Sequence, residues 1–115
     1  MNKLELIGRI GNDLEVKKIK DDFNILEMSI ATNEKWKDKN TQEEKEKTDW
    51  HVVKFFGSTV DNAKKFKKGD LVKVSGKLNY DEYDDKNGSK QKRAYLHCFS
   101  IEEGLKKNDE NTTNI

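Results

Sequence analysis

Cysteine, histidine and apolar residues are all scarce in this chain of 115 residues. The single cysteine, Cys98, excludes an intramolecular disulfide, and its apolar neighbours predict a small buried side chain rather than a nucleophile or ligand. No apolar run approaches the roughly 18 residues of a membrane span. The N-terminal segment is too short and too charged for a signal peptide. These absences predict a cytoplasmic protein.

Catalytic motifs are missing as well. The two histidines, His51 and His97, each lie within a predicted strand. The sequence has no Ser-His-Asp order, no Cys/His metal spacing and no glycine loop that could cradle a phosphate. The acidic cluster Asp81–Asp85 is more typical of a solvated loop than of a magnesium site, although a nuclease built on it is the enzymatic alternative. We therefore expect no enzyme activity, no metal and no cofactor.

Charged residues make up 39% of the chain and hydrophobic residues only 32%, whereas about 25% charged is typical. A core this thin stabilises a monomer poorly, so the composition favours an oligomer. The net charge is only +1. Any affinity for nucleic acid must therefore come from local basic patches and from stacking on aromatic rings.

The hydrophobic pattern predicts an all-β domain with one helix. The helix falls between the third and fourth strands, which is the order of a five-stranded OB-fold barrel, a fold that binds oligonucleotides and oligosaccharides. We predict this domain over residues 1–105 and a short disordered C-terminal tail over 106–115. The predicted strands are 3–10, continued by 16–19, then 23–32, 50–56, 70–78 and 93–101, with the helix at 58–68.

Two polar segments connect the strands. The segment 34–47 lacks both helical and strand periodicity and is predicted to be a long solvated loop or a mobile hairpin. The segment 79–92 is polar, with Asn87-Gly88 at a predicted hairpin tip.

Aromatic residues surrounded by lysines are the most informative feature. Trp36 lies between Lys35 and Lys37, in a segment with almost nothing apolar to pack against. Strand alternation places Trp50, Lys54 and Phe56 on one face of the third strand, and Tyr83 follows in an acidic loop. Each base stacked on such a ring contributes about 1–3 kcal/mol with little sequence preference. The rings therefore predict a surface that binds single-stranded nucleic acid.

Several sequence segments resemble the bacterial-type single-stranded DNA-binding proteins. The matching segments run from Asn2 to about Ile101; the most specific are Ala31-Thr-Asn-Glu-Lys-Trp36, Thr48-Asp-Trp50-His51 and Val74-Ser-Gly76-Lys-Leu. The resemblance implies a homotetrameric OB-fold protein, associated with the nucleoid, that protects single-stranded DNA during replication, recombination and repair.

The resemblance also implies roles for individual residues. Trp36, Trp50 and Phe56 fall where the family stacks bases, and Tyr83 falls where it often has a fourth aromatic. His51 and the first strand, with Lys3, Leu4 and Leu6, fall at positions of subunit contact. The basic positions along the DNA path correspond to Lys17, Lys37, Lys39, Lys67 and Lys68, to which the strand face adds Lys54. The four lysines at 64, 65, 67 and 68 are also compatible with a solvated helix end.

The chain departs from the family pattern in three places. Val52 replaces a common basic residue, and the segment 79–82 carries acids ahead of Tyr83 that should repel phosphate. The chain also ends without the acidic tip that recruits replication and repair partners. We expect either a longer tail or a short phage- or plasmid-type member without such partners. The alternative function is a dimeric primosome-type OB-fold accessory protein that bridges DNA and helicase, but the two tryptophans favour the first interpretation.

Overall fold

The computed structural model describes residues 1–20 and 23–104. The tail predicted at 106–115 lies outside the described residues. The residues that the structure describes form six strands and one short helix, in the order β1 (Leu4–Ile10), β2 (Val16–Lys20), β3 (Phe23–Lys37), β4 (Glu44–Phe56), α1 (Thr59–Ala63), β5 (Leu71–Asp84) and β6 (Lys90–Glu103).

Five of the strands close into a barrel. The sheet order is β1-β5-β6-β4-β3-β2, and an additional pairing of β1 with β3 closes the ring. The pair β4–β6 is parallel, whereas the other pairs are antiparallel. The predicted all-β barrel, with its helix between the third and fourth barrel strands, is confirmed. Residues 16–19, predicted to continue the first strand, instead lie in β2, which pairs with β3 outside the ring.

Gly8 makes the seam between β1 and β3 possible. A Cβ atom at this position would overlap the backbone carbonyl of Ala31 on β3. Only Arg9 and Ile10 of β1 pair with β3, so the seam depends on this close approach of the two backbones.

The core fills the interior of the barrel with aliphatic side chains, one phenylalanine and Cys98. Cys98 is buried, as predicted, and burial raises the pKa of its thiol. No polar or charged side chain of the described residues is buried. The fully or nearly fully buried residues are Ile10, Leu26, Met28, Ile30, Val53, Phe55, Val60, Ala63, Val72, Val74, Leu96 and Cys98.

The segment 34–47 is an ordered β-hairpin rather than a loop. Strands β3 and β4 stay in continuous register from Ile25–Phe56 to Lys37–Glu44. The turn is organised by Asp38, whose carbonyl accepts from the amide of Gln42 at 2.9 Å and whose carboxylate accepts from Asn40 at 2.8 Å. Because the hairpin projects with both faces in solvent, no hydrophobic alternation is needed to hold it, and the sequence pattern could not reveal the strands.

The helix is shorter than its sequence pattern predicts. It ends after Ala63, and the prediction of a helix extending to residue 68 is wrong. The amide of Phe66 donates to the Ala63 carbonyl, and the carboxylate of Asp70 accepts from the amide of Lys67 at 2.9 Å. This turn, rather than a further helical turn, carries the last lysines into β5. Within the described part of the chain, no helix has the length and apolarity needed to cross a bilayer.

Candidate nucleic-acid interface

One outer face of the barrel carries most of the predicted site. Strand alternation and the pairing registers place Trp50, Lys54 and Phe56 of β4 on this face. The parallel register of β4 with β6 sets Lys54 beside His97. Tyr83 pairs with Gln91 on the β5–β6 hairpin, which extends the same face. The structure therefore brings Trp50, Lys54, Phe56 and Tyr83 together on one continuous surface, which we call the outer face.

Trp50 is the most exposed ring of the predicted set, at 61% of its surface. Its six-membered ring lies against the backbone of Gly11, where any Cβ atom would overlap it. The amide of Gly69 donates to the carbonyl of Ile10 at 2.8 Å, so the turn that carries Lys67 and Lys68 meets the same short segment. Gly11 thus contacts one side of the Trp50 ring and leaves the other side open to a base.

Trp36 lies on the β3–β4 hairpin, away from the barrel. It is 48% exposed, and it borders a surface cavity with Lys35, Lys37 and Lys45. Trp36 pairs with Lys45 and Trp50 pairs with Ala31. Ala31, the partner of Trp50, and Trp36 are an odd number of residues apart on β3. The two tryptophans therefore project from opposite faces of the hairpin. Sequence reasoning grouped them as one set; the structure separates an arm ring from a barrel ring.

Lys54 is already paired with a carboxylate on the outer face. Its ammonium contacts Asp81 of β5 and lies 4.6 Å from the centre of the Tyr95 ring. Only 17% of its side chain is exposed. A second ion pair joins Arg93 to Glu27 at 3.5 Å. The centre of the outer face therefore carries cations whose charge is balanced within the protein, which the sequence showed only as acids ahead of Tyr83.

The tip of the β5–β6 hairpin is built around Asp85, next to the predicted fourth ring. Amide hydrogen bonds, first from Ser89 and also from Asn87, hold the pKa of the Asp85 carboxyl below its ordinary value. Gly88 has a φ of 81°, a conformation that favours glycine, so the predicted hairpin tip at Asn87-Gly88 is confirmed. Tyr83 lies one residue before the end of β5 and is half exposed. In the described part of the chain, no three His, Cys, Asp or Glu side chains cluster to hold a metal ion.

The other predicted lysines border the outer face and the arm. Lys17 on β2 pairs with Ile25, which in turn pairs with Phe56. Lys37 ends β3 and Lys39 lies in the turn of the arm. All five side chains are exposed: Lys17, Lys37, Lys39, Lys67 and Lys68.

Three of the four predicted subunit-contact residues line one opening, and Lys3 lies apart from it. Leu4 and Leu6 pack partly against the core and, with His51, line an opening between β4 and β6. The His51 ring is hydrogen-bonded to the Thr32 hydroxyl at 2.7 Å. Lys3 lies in solvent beside Glu5, 4.0 Å away. Residues 4–8 of β1 pair with β5 along one edge. Their other edge has no strand partner among the described residues.

Three rings of the outer face escaped the sequence reasoning. Phe23 and His97 flank Phe56, and Phe99 lies beyond His97, at a register shift between β5 and β6. The strand alternation of β6 did place His97 opposite the buried Leu96 and Cys98. The same alternation places Phe99 on the side of His97, although the register shift after Phe99 reverses the pattern for Ile101, which packs against the core.

Comparison with known proteins agrees with this geometry. A model of the Single-strand binding protein family matches residues 1–102. The single-stranded DNA-binding protein 1 of Xylella fastidiosa (strain 9a5c) is 36% identical over 112 residues, which cover 96% of this chain and 82% of that protein. The solved structure of a Plasmodium falciparum SSB in complex with ssDNA superposes with a TM-score of 0.74 and 35% identity, covering 84% of each chain. This chain therefore belongs to the single-strand binding protein family.

Proposed function

We propose that this protein binds single-stranded DNA without sequence preference, by stacking bases on exposed rings while lysines contact the phosphates. The observation that carries the proposal is Trp50, held against Gly11 with most of its ring in solvent. Phe56 lies six residues further along β4 on the same face, about 20 Å away at the rise of a strand. The spacing leaves room for several nucleotides between the two rings.

The roles of the remaining aromatics follow from their positions. Trp36 contributes from the arm, with Lys35 and Lys37 beside it, and stacks a base beyond the outer face. Tyr83 extends the path onto the β5–β6 hairpin. The phosphates are neutralised by the exposed lysines at the border of the face, Lys17, Lys37, Lys39, Lys67 and Lys68.

Family membership supports replication, recombination and repair as the setting of this activity, and we propose a cytoplasmic location at the nucleoid. Proteins of this family are binding proteins, in keeping with a role without catalysis. The comparisons do not favour the primosome-type alternative.

The test is the affinity for oligo-dT, oligo-dC, oligo-dA and duplex DNA of equal length, measured by anisotropy of a labelled strand. We expect similar affinities for the three single strands and much weaker binding of the duplex, because stacking needs unpaired bases. Preference for one base sequence, or equal binding of the duplex, would contradict the proposal.

We further propose that the protein assembles as a homotetramer in which β1 joins the chains in pairs and two such pairs associate. The edge of β1 that lacks a strand partner among the described residues can pair with the same edge of a second copy. Leu4, Leu6 and His51 then support the interface from the opening beneath it, with Lys3 at its margin. Sedimentation should give the mass of four chains of 13.4 kDa; a mass of two chains would favour a dimer.

The ion pair between Lys54 and Asp81 leads to a prediction about salt dependence. Asp81→Asn should release Lys54 for phosphate and remove a repulsive charge, so affinity at low salt should rise. The slope of log affinity against log salt should steepen by about 0.7, the value for one more phosphate neutralised on a single strand.

Asp84→Asn is the matched control, because it makes the same change of charge on the same hairpin at an exposed residue without an ion pair among the described residues. Asp84 projects from the opposite face of β5 from Asp81. If both variants change the salt slope equally, Lys54 is not the group released, and only net charge matters.

A further inference from the structure

Four rings form a continuous row across three neighbouring strands of the outer face. Phe23 of β3 stacks on Phe56 of β4, with ring centres 6.4 Å apart and 21° between the planes. Phe56 meets His97 of β6 at 4.7 Å, and His97 meets Phe99 at 5.3 Å. We call these four residues the ring row; it crosses the strands, whereas the line from Trp50 to Phe56 runs along β4.

The two ends of the ring row lie in solvent. Phe23 is 47% exposed and Phe99 is 58% exposed. Strand alternation from the buried Cys98 places Phe99 on the same side of β6 as His97. Phe99 is also the extra residue at the register shift between β5 and β6, where Ser75 pairs with Ser100 and Gly76 pairs with Cys98. Bulges of this kind are common beside functional sites. Contiguous exposed apolar surface of this kind marks an interaction site.

The surroundings of the ring row favour an anionic ligand with flat groups. Lys77 pairs with His97 across β5 and β6, and it forms no ion pair with a described residue. Lys17 lies near the other end, beside Ile25, the cross-strand partner of Phe56. Burial, and secondarily the charge of Lys77, lower the pKa of His97, which favours the neutral form of a ring that presents a π-face like its neighbours.

We propose that the ring row is a second stacking track for single-stranded DNA, which continues the path from Phe56 to Phe99. The inference rests on the proposed function, because Phe56 is where the two tracks meet. A strand that follows β4 from Trp50 turns at Phe56 and places further bases against His97 and Phe99. Lys77 lies on the phosphate side of the turn.

A single tryptophan placed at the end of the track tests this inference. The protein carries Trp36→Phe and Trp50→Phe, which keep aromatic rings, together with Phe99→Trp at an exposed position. Titration with oligo-dT at low salt should quench its emission. The matched control is Trp36→Phe alone, which leaves Trp50 as the reporter.

The two reporters separate the inference from the function on which it rests. Quenching of Trp50 without quenching in the Phe99→Trp protein would overturn the ring row as a DNA track and leave the proposed function standing. If neither reporter responds, the proposed function fails as well. Oligomer length should separate the two reporters. Short oligomers should quench Trp50 alone, and only longer ones should also quench the reporter at position 99.

Affinity gives an independent readout. Phe99→Ala should weaken binding of long oligo-dT about five-fold or more, the loss of one stacked base. Phe99→Tyr should restore it, because the π-face returns. If Phe99→Ala instead lowers the sedimentation mass and leaves DNA affinity unchanged, the ring row binds a second copy of the chain, and the inference is wrong.

Discussion

Replacing both tryptophans with alanine is expected to reduce affinity for oligo-dT by about 2–6 kcal/mol, because each ring contributes about 1–3 kcal/mol per stacked base. Trp50 supplies a ring fixed against Gly11, and Trp36 supplies one from the arm. The two rings lie on different parts of the β3–β4 hairpin and are not cross-strand partners, so their effects should add. Anisotropy of a labelled oligonucleotide measures the loss without relying on protein fluorescence.

The control for this loss is the double variant Trp36→Phe and Trp50→Phe. It keeps two aromatic faces and should retain most of the affinity. If the phenylalanine variant loses as much as the alanine variant, stacking is not the source of the binding energy. Both side chains are exposed, so neither pair of changes should alter the thermal unfolding midpoint greatly.

Replacing each of two adjacent phenylalanines with alanine should impair different properties: stability for one and DNA binding for the other. Phe55 is completely buried in the core, so Phe55→Ala should lower the free energy of unfolding by about 3–5 kcal/mol. The protein has a thin core, which makes this a large part of its stability. Phe56 lies on the outer face, so Phe56→Ala should weaken DNA binding and affect unfolding much less. Urea unfolding followed by circular dichroism measures the first effect.

This pair tests whether strand alternation assigns the two faces correctly. DNA affinity of folded Phe55→Ala protein should stay close to that of the original chain. A Phe56→Ala protein that unfolds as readily as Phe55→Ala, or that binds DNA with unchanged affinity, would contradict the assignment of Phe56 to the binding surface.

The sequence predicted the barrel well because its strands are half buried. Alternation of Val72, Val74 and Leu78 with polar residues fixed which face of β5 points inward, and the same pattern separated Phe55 from Phe56. Where both faces lie in solvent, as in the segment 34–47, no alternation exists and the hairpin could not be told from a loop. The helix end was also missed, because a side-chain contact of Asp70, remote from any helical pattern, organises the turn.

The candidate site was predictable as a set of residues but not as a surface. Exposed aromatics beside lysines pointed to Trp50 and Phe56 directly from the sequence. Their neighbours across the sheet depend on register: Asp81 meets Lys54, and His97 meets Phe56, through pairings between residues that lie far apart in the sequence. Phe99 follows His97 by two residues and lies on the same side of β6 by strand alternation, so the row reaches Phe99 once His97 meets Phe56.

Base stacking on the outer face is tested most directly in a protein whose only tryptophan is Trp50. The Trp36→Phe protein is titrated with oligo-dT at low salt while emission is followed. Stacking of a base on the exposed face of Trp50 predicts strong, saturable quenching that is the same for oligo-dC and that reverses as salt releases the strand. Unchanged Trp50 emission at DNA concentrations that saturate binding by anisotropy would contradict base stacking on the outer face.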